Sequence, residues 1–581
     1  MIKNINDEID KFLLSLPNAE NIDIAKIKDK YSSVITDSLD KGHITSNVCM
    51  IAASEFKTNP KELAQQLVDA LEATGRFLSV ESAGPGFVNI TLQRSDFVST
   101  IDKINKKNTG FGTSTIGNNQ SIQIEFVSAN PTGPLHVGHG RGAAYGDAIA
   151  RILTSSGYKV QKEYYINDAG RQIDILTCSV FARIYENELS QFFPKNAYKG
   201  KYIIDIANSF KAKTNSKITP ELTTLIHDLP EDEEKEIDEL TVRIKELHSD
   251  LWKDIKSFAL KEVLESIQSD LKKFNVSFDN WYSESSLGDL TDSKSKISLS
   301  IEHLKDKDLA YLKDGAVWLN TEGTGDDKNR VLIRDDGRAT YFASDVAYHK
   351  DKIDRGFDKL INVWGADHHG YIKRIEASIE GLGFSKNKLS VQLVQFANLF
   401  KDGSKVKMST RSGDFYSLAD LIEDIGTDAA RFYYLSKQAD QHLDFDLNLA
   451  QADSKENMFY YIQYAHARIC SLLNKYMEKN PSMPKSALAI TDEKYTNCDK
   501  LIHEMSKYPG VISRASSSLQ PHLIIFYLKD FAHSFHSFYN DNQVLTESKE
   551  NIDSIIFCLN SAKIILSNGL TLLGIKPIEK M

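Results

Sequence analysis

The segment that most constrains the fold lies between residues 122 and 155. Ile122-Gln123-Ile124-Glu125-Phe126-Val127 reads as a strand, Ser128-Ala129-Asn130-Pro131-Thr132-Gly133-Pro134 as a loop, and about Leu135 to Ser155 as a small-residue helix. Strand, proline- and glycine-rich turn, then helix is how a nucleotide-binding β-α unit begins. His136 and His139 stand three apart in the first helical turn, beside free backbone N–H groups and the positive end of the helix dipole. That arrangement suits a phosphate whose charge grows during reaction. Gly138, Gly142 and Gly146 repeat at four-residue spacing, a stripe without side chains for an adenine or ribose to approach. A lone His-x-x-His reads as readily as two capping or surface histidines; the strand and loop before it favour the phosphate reading.

At 581 residues the chain has room for about three to four domains. With 41% apolar and 26% charged residues it is globular, and disordered or fibrous classes are excluded. No run of about 18 apolar residues is evident, the tightest cluster being His522 to Leu528, so no membrane partner is expected. The first residues, Met1 to Glu8, are acidic where a secretory signal is basic then apolar, which gives a cytoplasmic expectation. Cys49, Cys178, Cys470, Cys498 and Cys558 are widely separated, so neither a disulfide framework nor a thiolate zinc site is expected. The formal charge of −10 discourages indiscriminate nucleic-acid binding, yet a locally basic face still engages phosphate.

Three domains emerge along the chain. Residues 1–112 alternate helix-like and strand-like patterns, closing on a turn at Gly84-Pro85-Gly86 and an alternating strand, and read as a small α+β domain. Residues 113–428 read as an α/β parallel-sheet domain of Rossmann type, interrupted at about 187–273 by a helical insertion. Within it Ile237, Leu240, Ile244, Leu247, Leu251 and Ile255 recur at spacings of three and four, and Glu231-Asp232-Glu233-Glu234 sits where it favours a helix start. Strand signals return near Ala316–Leu319 and Val331–Arg334 with a turn at Asp335–Arg338. After about Asp428 they vanish, and residues 429–581 read as an all-α helical bundle.

The stretch Glu125 to His139 resembles the class I aminoacyl-tRNA synthetase motif that ends His-Ile-Gly-His, and in its longer form that of bacterial arginyl-tRNA synthetases. Val406-Lys407-Met408-Ser409-Thr410-Arg411-Ser412-Gly413 resembles the second class I motif, Lys-Met-Ser-Lys-Ser. The likeness continues through Tyr164–Gly170, Trp364–Gly370, Asp428–Phe432, Tyr461–Arg468 and Asn568–Ile575; only the helical insertion escapes it.

The resemblance implies an arginine–tRNA ligase that activates L-arginine with ATP and then transfers it to the terminal ribose of its tRNA, activation depending on bound tRNA. Such phosphoryl chemistry needs positioned positive charge, from histidines, lysines, amide dipoles and Mg²⁺ on the ATP phosphates. It assigns catalysis to His136, His139, Lys407 and Arg411, and ATP contacts to Pro134, Gly138, Gly365, Asp367, His368, Met408 and Ser409. Arginine falls to Glu125, Asn130, Tyr341 and Asp345, whose acids suit a guanidinium with five donors. An unpaired Glu125 at a strand's C-terminal end calls for a cationic partner, either the substrate or a structural Arg. Phe87 and Asn89, in the amino-terminal domain, and Tyr461, Tyr464 and Arg468, in an anticodon-binding bundle, are the tRNA contacts, with aromatics and Arg suited to splayed bases. No protein-bound metal is expected, and the chain is expected to act as a monomer. The motif's second lysine is replaced by Thr410, which opens an alternative, a synthetase-like tRNA-binding protein with impaired catalysis.

Overall fold

The computed structural model describes residues 2–214, 222–322, 326, 328–405, 416–485, 498–542, 544 and 549–581. By its contacts the chain divides into two units: Thr115–Ala452 with Leu573–Ile575, and Met1–Ser114 with Asp453–Leu572 and Lys576–Met581. Residues 429–452, which the sequence pattern places in the carboxy-terminal bundle, therefore pack within the first of these.

That unit is built on the expected β-α start. Strand β1 (Ser121–Glu125) leads through an irregular loop to helix α1 (Val137–Ser155), followed by β2 (Lys159–Ile166), β3 (Asn280–Ser283), helix α2 (Tyr341–Asp354), β4 (Lys359–Gly365) and β5 (Leu389–Val394). The five strands lie in the order β5-β4-β1-β2-β3, every pair parallel. A central parallel strand is covered on both faces, which is why β1 is buried from Ile122 to Glu125. Gly146 lets α1 lie close on that strand: a Cβ there would stand 2.3 Å from the Phe126 ring. The glycine stripe is thus no continuous nucleotide surface. Gly146 is packed, and of the three only Gly142 faces open space, with nothing within 4 Å of where a Cβ would stand.

The insertion is helical as its periodicity requires, with helices at Lys201–Lys213, Glu233–Leu247 and Ser249–Lys273. Asp232 caps the second of these, its carboxylate accepting from the Lys235 N–H at 3.0 Å. Ile237, Leu240 and Ile244 are fully buried, whereas Leu247, at the helix end, is exposed. The strands read near 316–319 and 331–334 are present as Ala316–Leu319 and Arg330–Ile333; they pair antiparallel and are joined by a third, Ala310–Lys313. Among the described residues, one strand lies past the point where strand signals fade: Leu443–Asp446 runs parallel to Ala397–Lys401. Its residues alternate buried and exposed, a period-2 signal only four residues long.

The other unit holds a four-stranded antiparallel sheet, in the order Ser33–Ile35, Ile44–Ser46, Phe87–Leu92, Phe77–Ala83. Gly84 and Gly86, both at positive φ, turn the last hairpin. It also holds the long helices Met458–Met477, Asp499–Ser518, His522–Asp541 and Lys549–Leu572. Although it contains no unbroken apolar run, Asn551–Leu572, with mean hydropathy 1.5, is long and apolar enough to cross a membrane. Its most apolar window is 72% buried, the condition of a core helix. All five cysteines are free and buried.

Candidate active site

Glu125 ends β1, and the chain leaves it through Val127 and Ser128, both at positive φ. Two consecutive left-handed non-glycine residues are costly and mark a place where the fold over-determines the backbone. The loop delivers His136 to the N-cap of α1. The His136 Nδ1 accepts from the Gly138 N–H at 3.0 Å and the His139 Nδ1 accepts from the His136 N–H at 3.2 Å, a reciprocal cap. The rings stack with centroids 3.8 Å apart. Gly138 is required by this stack, since a Cβ there would meet the His136 ring at 2.7 Å.

Two backbone donors therefore fix both rings as Nε2–H tautomers. Burial holds His136 below its ordinary pKa, and burial together with the His136 ring pushes His139 down to about 3. At neutral pH the pair offers hydrogen-bond donors and no cation, which corrects the expectation that these histidines supply positive charge. The Leu418 N–H donates to the Leu135 carbonyl at 2.8 Å and the Val137 N–H to the Tyr416 carbonyl at 3.3 Å, so the chain just after the second motif is pinned to the start of α1. Lys407, Met408, Ser409, Thr410 and Arg411 lie outside the described residues.

On the neighbouring strand β4, Gly365 leads into a short 3-10 helix, Ala366–Tyr371. Asp367 and His368 are both exposed there, Oδ1 and Nδ1 being 3.1 Å apart. Among the described residues no group of three His, Cys, Asp or Glu side chains is placed to hold a metal ion. Pro134 is half-buried in the loop before α1, and Asn130 is exposed in it.

Glu125 is not unpaired. Lys352, fully buried on α2, donates to its Oε2 at 2.5 Å, and the Ser128 hydroxyl donates to Oε1 at 3.0 Å. The structural cation that sequence reasoning weighed is present, as a lysine rather than an arginine. Periodicity offered one clue, since Lys352 follows Asp345 by seven residues on the same helix.

Among the described residues, two other carboxylates near Glu125, Asp345 and Glu284, have no ion pair. Asp345, in the first turns of α2, accepts from the Tyr371 hydroxyl. Burial lifts its pKa to about 6, against the pull of that hydrogen bond, with Glu125 adding repulsion. Glu284, just after β3, is raised to about 7 by burial, then by Asp345 and Asp168, with a hydrogen bond from Tyr165 opposing. The Asn167 amide, oriented to donate, bonds Glu284 Oε2 at 2.8 Å. Asp168 accepts from the Ser283 hydroxyl at 2.5 Å and the Ser285 N–H at 2.9 Å. Tyr341 is 63% exposed, and its hydroxyl lies against Gly170. Sequence reasoning named Tyr341 and Asp345 but missed Glu284, Tyr371 and Lys352, which come from segments far apart in the chain.

Two carboxylates without an ion pair among the described residues give the pocket a pH dependence of definite sign. Each has a folded pKa above its ordinary value, so the empty folded protein holds protons there, from about pH 4 to 7, that the unfolded chain releases. A cation bound beside them would favour the ionised forms and expel these protons. The KM for arginine is therefore expected to rise about tenfold per pH unit as pH falls from 7 to 6, with the ATP KM little changed, in pyrophosphate exchange. A flat arginine KM across that window would separate these acids from the substrate.

In the other unit, Phe87 and Asn89 are half-buried and line an open cavity of about 330 Å³ with Thr36, Asp37 and Lys41. On helix Met458–Met477, Tyr461, Tyr464 and Arg468 are half-buried, Arg468 lying 4.4 Å from the Tyr464 ring centroid. His466, on the same helix, is structural: it is buried and bonds the Ile578 carbonyl and the Ser567 hydroxyl, both at 2.8 Å.

Three family descriptions match: "Arginyl tRNA synthetase N terminal domain" over residues 1–92, "tRNA synthetases class I (R), catalytic domain" over 100–469, and "DALR anticodon binding domain" over 462–581. An arginine–tRNA ligase of Thioalkalivibrio sulfidiphilus is 42% identical, covering 94% of this chain and 95% of the relative. One of Nitrosomonas europaea is 40% identical, covering 97% and 96%. Among solved structures, a putative arginyl-tRNA synthetase of Campylobacter jejuni matches with TM-score 0.73 at 33% identity, covering 84% of this chain and all of that one. The Thermus thermophilus arginyl-tRNA synthetase shares the fold with TM-score 0.74 at 19% identity over the whole of both chains. With the histidine pair capping α1 behind the first strand of the parallel sheet, these likenesses run over nearly the full length of the chain, which belongs to the class I arginyl-tRNA synthetases, the arginine–tRNA ligases.

Proposed function

We propose that this chain carries out its ligase reaction with the following division of labour. Asp345 and Tyr341 receive the arginine side chain, Glu125 lies beside them, and Asn130 meets the amino end. The arginine carboxylate attacks the α-phosphorus of ATP and pyrophosphate leaves, giving arginyl-adenylate. A terminal ribose hydroxyl of the tRNA then attacks the activated carbonyl, and AMP leaves. His136 and His139 donate from Nε2 to the phosphate as its charge grows, a contribution worth most in the transition state. Lys407 and Arg411 neutralise the outer phosphates, Met408, Ser409, Pro134 and Gly138 complete the nucleotide contacts, and Gly365, Asp367 and His368 hold the adenosine. Mg²⁺ accompanies the ATP phosphates. Phe87 and Asn89 meet one part of the tRNA and Tyr461, Tyr464 and Arg468 its anticodon bases, with the chain acting as a monomer in the cytoplasm.

The observation that supports this division most is the pair Asp345 and Glu284, two carboxylates with no ion pair among the described residues, in the domain that carries the capped histidines. Free arginine brings two cationic groups. The alternative of an impaired tRNA-binding protein finds no support among the relatives.

Pyrophosphate exchange with each amino acid, with and without tRNA, tests the reading. Exchange is expected with arginine alone among amino acids and only when cognate tRNA is present, because tRNA binding energy then selects the competent conformation. Strong exchange without tRNA would sink the coupling, and exchange driven by another amino acid would sink the pocket assignment.

A further inference from the structure

Beneath the two acids proposed for arginine runs a buried chain of hydrogen bonds that the mechanism above does not use. Asn362 on β4 stands directly across from Glu125 in the parallel register. Lys352 Nζ donates to Glu125 Oε2 and, at 3.0 Å, to Asn362 Oδ1. Because the Asn362 oxygen is taken by that ammonium, its Nδ2 faces His349 Nε2, 2.9 Å away, as a donor. His349 must then accept at Nε2 and carry its proton on Nδ1, which donates to the Asp345 carbonyl at 2.8 Å. Lys352 and Asn362 are 0% exposed and His349 is 2% exposed. The Lys352 ammonium also lies 4.2 Å from the Tyr348 ring centroid.

We propose that Lys352, Asn362 and His349 form a positioning network that holds Glu125, at the end of β1, and Asp345, at the start of α2, at a set separation before arginine arrives. The proposal rests on the pocket assignment given under the proposed function. Each member has one permitted role: the ammonium only donates, the amide is thereby oriented, and the imidazole is thereby fixed in one neutral tautomer. Burial and the neighbouring Lys352 push His349 down to about 3, so no proton taken up near neutrality reverses the chain. Lys352 further cancels the Glu125 charge, which leaves the charge of Asp345 and Glu284 for the substrate's cationic groups. Among the described residues, the charged and titratable groups near Glu125 include Tyr165 and its register partner Glu163 on β2, and Asp345, Tyr348, His349 and Lys352 on α2.

The test is pyrophosphate exchange of the full-length protein with cognate tRNA, the KM values for arginine and ATP being read separately from pH 6.5 to 8.5. Lys352→Met keeps the length of the side chain and removes its charge. It is expected to raise the arginine KM by about thirtyfold or more, leaving the ATP KM within about threefold, because a buried acid is left without its counter-ion. Since a carboxylate that loses its counter-ion takes up a proton more readily, that penalty deepens as pH is lowered. Asn362→Ser is milder: the Lys352–Glu125 pair stays, the chain is cut at its middle, and the arginine KM is expected to rise about three- to tenfold with no added pH dependence. Should the methionine variant fail to fold by circular dichroism, the serine variant alone decides. An arginine KM within about twofold of the parent in a folded variant, or an equal rise in both KM values, overturns the network. Unchanged arginine kinetics in Asp345→Asn, measured alongside, overturns instead the pocket assignment, so the two failures are distinguishable.

Discussion

Asp345→Ala is expected to lower kcat/KM for arginine by about two to three orders of magnitude while leaving ATP binding nearly intact, the scale of removing one partner from a buried charge interaction. Tyr371 loses its acceptor in this variant. Asp345→Asn separates the two effects, because the amide oxygen still accepts from Tyr371 but the charge is gone. It is expected to lose most of the arginine affinity as well. Burial raises the Asp345 pKa to about 6, so the ionised form is disfavoured in the empty pocket, and the asparagine variant is expected to melt no lower than the parent. A drop in thermal stability with unchanged arginine kinetics would make Asp345 a structural residue.

The largest effect on stability is expected at Arg431. Its guanidinium is 0% exposed, donates to Asp147 Oδ2 at 2.7 Å, to the Leu573 carbonyl at 3.0 and 2.9 Å, and to the Phe274 carbonyl at 3.1 Å. Asp147, on α1, is itself 0% exposed. Arg431→Ala is expected to destabilise this unit by about 3–5 kcal/mol in urea or thermal unfolding, since a buried carboxylate loses a partner and several carbonyls lose their donor. Lysine should recover less than half of that loss, because one ammonium cannot replace a fork that reaches three segments. Gly574 tests the same contact from the other side. It sits at φ 72° and a Cβ there would stand 2.1 Å from Arg431 Nη2, so Gly574→Ala is expected to destabilise through the same contact. A loss under about 1 kcal/mol in Arg431→Ala would mean that Arg151 and Lys162, the other cations on Asp147, already suffice.

Much of this protein was determined by local pattern. The start of α1 was legible because strand, proline, glycine and capping histidine lie consecutively, and a helix N-terminus is decided within about four residues. The helical insertion was legible for a similar reason, its apolar residues recurring at helical spacing with an aspartate at the N-cap. The acids Glu125 and Asp345 could be named from the resemblance, and the helix that puts Tyr341 and Asp345 four apart is present. The short strand Leu443–Asp446 escaped notice because four alternating residues are too few to outweigh the helical pattern around them.

What the tertiary structure alone decided is the charge state of the site. Glu125 and Lys352 are 227 residues apart in sequence and meet only because β4 pairs with β1 in a register that sets Asn362 beside Glu125. No local period carries that register. Likewise the histidines of the first motif became neutral donors, and not cations, once backbone N–H groups took both Nδ1 atoms and burial removed the water that would stabilise a charge. Glu284 couples to Asp345 and Asp168 because β3 lies beside β2, which brings its carboxylate towards theirs. A sequence states which groups can ionise, but whether they do depends on the neighbours and the solvent that only the fold assigns them.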